Sequence, residues 1–187
     1  MMEAGEKRKK KEAAVIVPIV NGDSILFIKR SRNLKHHSGE ISFPGGQLEE
    51  GEDYRDAALR ETREELGIEP ESIEIIQELP DVITMRTNYH VVPFLARLGT
   101  THLKPNPDEV ERIIVYRIRD LMEVERCIIP GFYYIYPMPE GVIWGATARI
   151  LHNLLRRMRS IPPGGKPERV FEVLPSLSEE VFEKKGP

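Results

Sequence analysis

Short apolar runs rich in β-branched residues recur along most of the chain, separated by polar or proline-containing segments. Residues 13–20 and 24–29 are two such runs, and Asn21-Gly22-Asp23 between them is typical of a β-hairpin turn. Three further runs have the length of strands, at residues 73–79, 90–98 and 110–118. The pattern predicts a hairpin at the start of the fold and a mixed sheet overall.

Two other segments have the composition or the apolar spacing of an α-helix. From Asp53 to Leu66 the residues are mainly Ala, Leu, Arg and Glu, and Gly67 stands where a helix commonly ends. The second segment runs from Trp144 to Met158, and its apolar residues recur at helical spacing: Ile150, Leu151, Leu154, Leu155 and Met158. We predict a helix over each segment.

The composition is that of one globular domain. The 187 residues are 40% hydrophobic and 30% charged, and no apolar run approaches the roughly 20 residues that a membrane span requires. We predict a domain over residues 13–160, a basic tail over residues 1–12 and a second tail over residues 161–187. The net charge of −3 argues against a nucleic-acid partner. No cleavage pattern follows the basic run, so we expect neither a secretory signal nor a membrane partner.

Cysteine and tryptophan each occur once. A single cysteine cannot form an internal disulfide, so we expect a cytoplasmic protein. The apolar context Cys127-Ile128-Ile129 favours a small core residue over a reactive thiol. Trp144 opens the second helix, and we interpret it as a core anchor rather than a surface for stacking an adenine.

The first predicted helix carries three acidic residues at positions i, i+3 and i+4. Glu61, Glu64 and Glu65 therefore share one face within about 100° of arc. A less polar stripe is centred roughly 125° around the helix: Ala58, Leu59, Thr62 and Leu66. We expect the helix to bury that stripe and to present the acids on its other side. Considered alone, the helix could equally be a solvated one whose arginines pair with the acids.

The residues upstream favour a metal site over a solvated helix. Pro44-Gly45-Gly46 is a turn whose glycines let backbone groups approach a metal or a phosphate closely. Mg²⁺ and Mn²⁺ bind through a few carboxylates and substrate phosphate oxygens, and they turn a bound water into a nucleophile. The spacing therefore predicts a divalent-cation site suited to phosphoryl chemistry.

The same positions resemble the Nudix box. The matching residues are Gly46, Glu52, Arg60-Glu61-Thr62, Glu64-Glu65 and Gly67-Ile68, with Thr62 where an aliphatic residue is usual. The resemblance implies an α/β fold, an α/β/α sandwich around a mixed β-sheet, in which the box forms a loop, a helix and a second loop.

The resemblance also implies roles for individual residues. A Mg²⁺ or Mn²⁺ ion would be held by the carboxylates of Glu61, Glu64 and Glu65 and by the backbone carbonyl of Gly45. Arg60 and Glu52 would form a supporting ion pair. Members of the family place the base that acts on the attacking water differently. Besides the box glutamates, we therefore consider Glu109 and Glu111, for which plain surface charge is the alternative.

A narrower resemblance precedes the box, to the coenzyme A pyrophosphatase branch. It covers residues 26–31, Lys35, Gly39 and residues 43–46, with departures at Phe27, Ile28 and Lys35, where Leu, Thr and Arg are expected. It implies cleavage of coenzyme A, or its acyl or oxidised forms, to a 4′-phosphopantetheine species and adenosine 3′,5′-bisphosphate.

The residues implied in substrate binding are Arg30, Lys35, Gly39, Phe43 and Gly46. Arg86 is a further candidate for a phosphate contact, because a cationic side chain forms charge-assisted hydrogen bonds with phosphate. His36-His37 lacks an evident carboxylate partner, so we interpret the pair as solvated.

Two other functions stay open. The enzyme could act on ADP-ribose or on another nucleoside di- or triphosphate derivative. A catalytically silent nucleotide-binding module is disfavoured, because such a module has no need of three repelling glutamates. Analogy with the family suggests a homodimer.

Overall fold

The computed structural model describes residues 11–84, 87–100, 102–129 and 133–159. These residues form eleven strands and three α-helices, in the following order along the chain: β1 Lys11–Val20, β2 Ser24–Arg30, β3 Ile41–Ser42, β4 Gly45–Gln47, α1 Tyr54–Leu66, β5 Ile73–Glu78, β6 Val82–Ile83, β7 Tyr89–Leu98, β8 Val110–Arg117, α2 Ile118–Glu123, β9 Cys127–Ile129, β10 Tyr133–Met138, β11 Gly141–Ile143 and α3 Gly145–Met158. Of the two predicted tails only Lys11 and Glu12 are described, and both belong to β1.

The main sheet has eight strands of mixed direction. Strand β1 pairs in parallel with β7 and antiparallel with β2 and β4. Strand β7 also pairs antiparallel with β5 and β6, and β2 with β3 and β8. The sheet confirms the predicted strands at residues 73–79, 90–98 and 110–118.

The two faces of the sheet support two separate hydrophobic clusters, because successive strand residues point to opposite faces. On β2, Leu26 and Ile28 pack in the cluster that contains Ala58 and Leu66 of α1. Ile25 and Phe27 pack in the other cluster, which contains the buried face of α3: Ala148, Ile150, Leu151, Leu154, Leu155 and Met158. The α/β/α sandwich and both predicted helices are confirmed.

The first hairpin forms at the predicted turn. Asn21 and Gly22 have positive φ angles of 53° and 76°, a conformation that asparagine and glycine adopt more readily than other residues. Val20 then pairs with Ser24 and Ile19 with Ile25.

Helix α1 is bounded as its sequence predicts. The side chain of Asp53 accepts a hydrogen bond from the backbone N–H of Asp56 at 2.8 Å, which caps the first turn. Gly67 ends the helix with φ +64°, and its N–H donates to the carbonyl of Arg63 at 2.8 Å. The helix therefore begins and ends at fixed points next to the candidate site.

A small second sheet, in the order β11-β10-β9, was not predicted. Two expectations about residues in this part of the chain are wrong. Cys127 on β9 is exposed rather than a core residue. Trp144 is 42% exposed rather than a core anchor. It has extended backbone before α3, and its neighbour Ile143 is fully buried. Because side chains alternate in extended backbone, Trp144 points outward.

No helix among the described residues is long and apolar enough to cross a membrane.

Candidate active site

The centre of the site is Glu65, which α1 directs into the interior beside the turn that opens β4. One of its oxygens, Oε2, accepts the backbone N–H of Gly45 at 2.9 Å. The other oxygen, Oε1, accepts a hydrogen bond from Nη1 of Arg30 at 2.9 Å. The side chain is only 1% exposed. A buried carboxylate is thus held from two sides, by a loop and by a strand.

The burial of Glu65 corrects the expectation that the acids would all lie away from the buried stripe. Glu65 follows Ala58 by seven residues, which places the two within about 20° of each other around the helix. Ala58 is fully buried against the sheet, so Glu65 is carried to the edge of the same interface. Leu59, expected in the stripe, is only partly buried.

Burial raises the pKa of the Glu65 carboxyl to about 8. The Gly45 N–H and the Arg30 guanidinium oppose that rise, while the negative charges of Glu61 and Glu109 add to it. Near neutral pH the free site therefore keeps a proton on Glu65 for much of the time, and a bound cation would have to release it.

Glu61 lies against the glycine turn. A Cβ on Gly46 would overlap the carboxylate of Glu61, so the turn accommodates this acid only with glycine at that position. Burial raises the pKa of the Glu61 carboxyl, Arg60 opposes the rise, and Glu64 and Glu109 add to it. Glu64 itself is 50% exposed and lies at the outer end of the acidic face.

Arg60 bridges the acids of the box. Its Nε and Nη2 donate to the two oxygens of Glu52 at 2.8 and 2.9 Å, the ion pair that the resemblance implied. The same guanidinium donates to the carbonyl of Gln47 at 3.1 Å. It also donates to Glu61 at 2.9 Å and to Glu64 at 3.3 Å, the kind of pairing that the alternative interpretation of the helix allowed. The hydrogen bond from Arg60 holds the pKa of Glu52 below its ordinary value.

The structure separates the two candidate loop acids. Glu109 lies close enough to Glu61 and Glu65 for its charge to raise both of their pKa values. Its carbonyl accepts the backbone N–H of Ser31 at 2.8 Å, which ties its loop to the end of β2. Glu111 points elsewhere, to Arg32 at 3.3 Å and Lys29 at 3.9 Å. Of these two acids, Glu109 is the one whose charge acts on Glu61 and Glu65.

The donor set fits a hard divalent cation. Glu61, Glu65 and Glu109 offer carboxylate oxygens whose mutual repulsion a cation would relieve. In the part of the chain that is described, no three acidic, histidine or cysteine side chains already surround one point as ligands would. Arg60 pairs with Glu61, and Arg30 and the Gly45 N–H are hydrogen-bonded to Glu65. Because each carboxylate oxygen has more than one acceptor position, Glu65 can keep its contacts with Arg30 and the Gly45 N–H while it binds a cation.

The residues expected to bind substrate fall into different environments. Arg30 joins Glu65, and Gly39, with φ +70°, donates its N–H to the carbonyl of Arg30 at 3.2 Å. Lys35 is exposed. Phe43 is only 2% exposed and stacks on Phe27 with 4.8 Å between ring centroids, so its side chain belongs to the core. Arg86 lies outside the described residues.

His37 is exposed, as expected for a solvated pair. Its Nδ1 lies 3.0 Å from Oε2 of Glu40, so it has the carboxylate partner that the sequence did not reveal. The pair forms within a turn in which His37 has φ +56°, a backbone conformation that local composition does not predict.

Sequence reasoning missed Ser42, whose hydroxyl is buried and has no hydrogen-bond partner among the described residues. Ile41 and Phe43 on either side pack in the α3 cluster, so Ser42 faces the α1 side of the sheet, where Arg30 lies. A serine between two apolar residues in a strand was the available signal.

Comparison with known proteins gives a consistent result. A family model described as NUDIX domain matches residues 9–133. Nudix hydrolase 3 of Caenorhabditis elegans is 37% identical over 117 residues, which are 59% of this chain and 49% of that protein. The chain thus spans about half the length of that relative. The mitochondrial coenzyme A diphosphatase NUDT8 of Mus musculus is 32% identical over 161 residues, 77% of this chain and 76% of that protein.

Among solved structures, a NUDIX hydrolase from Nitrosomonas europaea aligns with a TM-score of 0.59 at 19% identity. The alignment covers 83% of this chain and 73% of that chain, and it is a likeness of fold.

Proposed function

Because the chain belongs to the Nudix hydrolases, which act on pyrophosphate bonds, we propose that it cleaves the diphosphate of coenzyme A or of a coenzyme A derivative. The products would be a 4′-phosphopantetheine species and adenosine 3′,5′-bisphosphate. The observation that carries the hydrolytic part is the cluster of Glu61, Glu65 and Glu109 beside the glycine turn.

A divalent cation, which we propose to be Mg²⁺ or Mn²⁺, would neutralise charge on the diphosphate and supply an activated water when bound. Glu61, Glu64 and Glu65, with the Gly45 carbonyl, are the groups proposed to hold it. Arg60 fixes the box helix against the loop through Glu52 and Gln47. Glu109 approaches from the loop before β8, and we propose it as the group that accepts the proton of the attacking water.

The choice of coenzyme A rests on two supports. The residues before the box, Arg30, Lys35 and Gly39 among them, are similar to the coenzyme A pyrophosphatase branch. The mouse relative, similar over about three quarters of both chains, is named a coenzyme A diphosphatase. We also propose a cytoplasmic location, because a single cysteine is compatible with a reducing compartment, and a homodimer by family analogy alone.

The test is product identification by mass spectrometry after incubation with coenzyme A, ADP-ribose and a nucleoside triphosphate, each with Mg²⁺ and with Mn²⁺. We expect adenosine 3′,5′-bisphosphate from coenzyme A at the highest rate, and a rate lower by about two orders of magnitude or more from a Glu65→Gln variant. A higher rate with ADP-ribose or the triphosphate would reject coenzyme A as the main substrate, but the assignment of the protein as a hydrolase would stand.

A further inference from the structure

Arg30 is the residue that joins the sheet to the carboxylate cluster. On β2, Leu26 and Ile28 pack in the cluster on the α1 side, and Arg30 continues the same face two residues later. Its side chain, 23% exposed, reaches across the layer to Glu65 at 2.9 Å. The contact is formed by residues 35 positions apart, so it depends on the packing of α1 against the sheet.

The backbone around Arg30 is fixed on both sides. Its N–H donates to the carbonyl of Glu40 at 2.9 Å, and its carbonyl accepts the N–H of Gly39 at 3.2 Å. The next residue, Ser31, donates to the carbonyl of Glu109 at 2.8 Å. The end of β2 therefore connects the 39–40 loop, the Glu109 loop and Glu65. Gly39 therefore has a structural role in this arrangement.

Two of the three guanidinium nitrogens of Arg30 are buried or already engaged, which limits contact with a remote phosphate. Its Nε is buried and has no hydrogen-bond partner among the described residues, so a ligand could reach that atom only after a rearrangement. Nη1 is already engaged by Glu65. In contrast, Lys35 on the following loop is exposed and can approach a ligand from solvent.

We propose that Arg30 is a positioning residue, which together with the Gly45 N–H holds the Glu65 carboxylate in its working orientation, and that it does not read the 3′-phosphate of coenzyme A. A carboxylate held between two donors keeps one orientation, whereas one held by a single donor can rotate away from a metal or a water. The kinetic part of this inference rests on the proposed function, and the metal-binding part does not.

Two variants separate the roles. Arg30→Lys keeps the positive charge but loses the planar fork of donors, so it isolates orientation from charge. Arg30→Ala removes both. Arg32→Ala is the matched control, because Arg32 lies two residues away and pairs with Glu111 rather than with the cluster. The readouts are kcat and KM for coenzyme A and for dephospho-coenzyme A, and Mn²⁺ affinity measured by electron paramagnetic resonance of the free ion.

We expect both Arg30 variants to lose about tenfold or more in kcat on both substrates with KM changed less than about threefold. Arg30→Lys should also weaken Mn²⁺ binding by about threefold or more, as losses of an orienting group do at metal sites. Arg32→Ala should match the parent. A loss confined to coenzyme A and expressed in KM would overturn the proposal, and so would parental Mn²⁺ affinity in Arg30→Lys.

If the parent cleaves neither coenzyme substrate, the proposed substrate is wrong, and the Mn²⁺ titration alone decides the role of Arg30. If Arg30→Ala does not fold, Arg30→Lys decides it. A double-mutant cycle of Arg30→Lys and Glu65→Gln in urea unfolding adds an independent readout. Coupled effects support the contact, and additive effects would refute it.

Discussion

At the scale of single residues, Glu65 combines two properties that oppose each other. It is an acid, and it is almost fully buried. Its two hydrogen bonds, from Gly45 and Arg30, compensate only part of the loss of solvent, so its pKa rises to about 8. Burial disfavours the ionised form of this carboxylate, and the positive charge of a bound cation would stabilise that form. The site is therefore suited to a cation.

The first prediction concerns the pH dependence of stability without metal. The folded protein holds the Glu65 proton up to about pH 8, whereas the unfolded chain releases it near its ordinary value of 4.5. Between these values the folded state binds more protons, so the free energy of unfolding should fall as pH rises. A single group contributes at most about 1.4 kcal/mol per pH unit. Urea unfolding in EDTA from about pH 5.5 to 8 measures this slope.

Glu65→Gln does not titrate, so its slope should be shallower than that of the parent. Glu69→Gln is the control, because Glu69 is 62% exposed and, among the described residues, its ion pair is with exposed Arg63. If the free energy of unfolding changed with pH in parallel for the parent and Glu65→Gln, Glu65 would be ionised normally in the folded protein.

The second prediction, also at this scale, concerns Gly46. Its backbone angle is ordinary, so replacement by alanine introduces no strain in φ, but the new Cβ would overlap the Glu61 carboxylate. Gly46→Ala should therefore displace Glu61 and reduce kcat by at least about tenfold. Gly99→Ala is the control, since its Cβ would lie 3.3 Å from the carbonyl of Ser72, away from the cluster. Parental kcat in Gly46→Ala would contradict the placement of Glu61.

At the scale of elements, α1 and the loop before it act as a unit through the Arg60–Glu52 pair. The side chains are 24% and 14% exposed, and the contact is bidentate. Glu52→Gln should lower the free energy of unfolding by about 1 kcal/mol, since the pair is only partly shielded. It should also reduce kcat, because the loop and helix would lose their common orientation. Glu69→Gln, which removes an exposed ion pair, should do neither.

Thermal or urea unfolding and initial rates on the same preparations measure both effects. Unchanged stability and unchanged rate in Glu52→Gln would remove the supporting role of the pair.

The elements that the sequence predicted are those with a strong local signal. The turn at Asn21-Gly22 and the ends of α1 at Asp53 and Gly67 depend on backbone preferences of a few residues. The strands β9 and β11 have three residues each, too few for an alternation to stand out. Trp144 and Cys127 were misplaced because an apolar side chain does not reveal which face of a short strand it occupies.

For the candidate site, the sequence predicted only the arrangement of the acids that lie on one helix. The spacing of Glu61, Glu64 and Glu65 predicted three acids on one face of the helix, but it did not reveal the burial of Glu65, which depends on how α1 packs on the sheet. The contact between Arg30 and Glu65 spans 35 positions, and no local pattern encodes such a contact. Glu109 could be nominated from the sequence, but only the fold distinguishes it from Glu111.

At the scale of the whole molecule, the site is assembled where the α1 layer meets the sheet. Glu61 and Glu65 come from the helix, Arg30 from β2, and Glu109 from the loop before β8. The opposite layer, packed by α3, contributes to the core rather than to this cluster. Orientation across the layer interface therefore determines whether the carboxylates can act together.

The most direct test of the account is the turnover of coenzyme A at saturating Mg²⁺ by the parent, Glu61→Gln and Glu65→Gln, with circular dichroism confirming that each is folded. Glutamine keeps the shape of the side chain but cannot neutralise a cation, and removing a repelling charge should if anything relieve the helix. We predict that both variants stay folded and lose activity by about two orders of magnitude or more. Near-parental turnover in both variants would contradict the assignment of these carboxylates to the hydrolytic site.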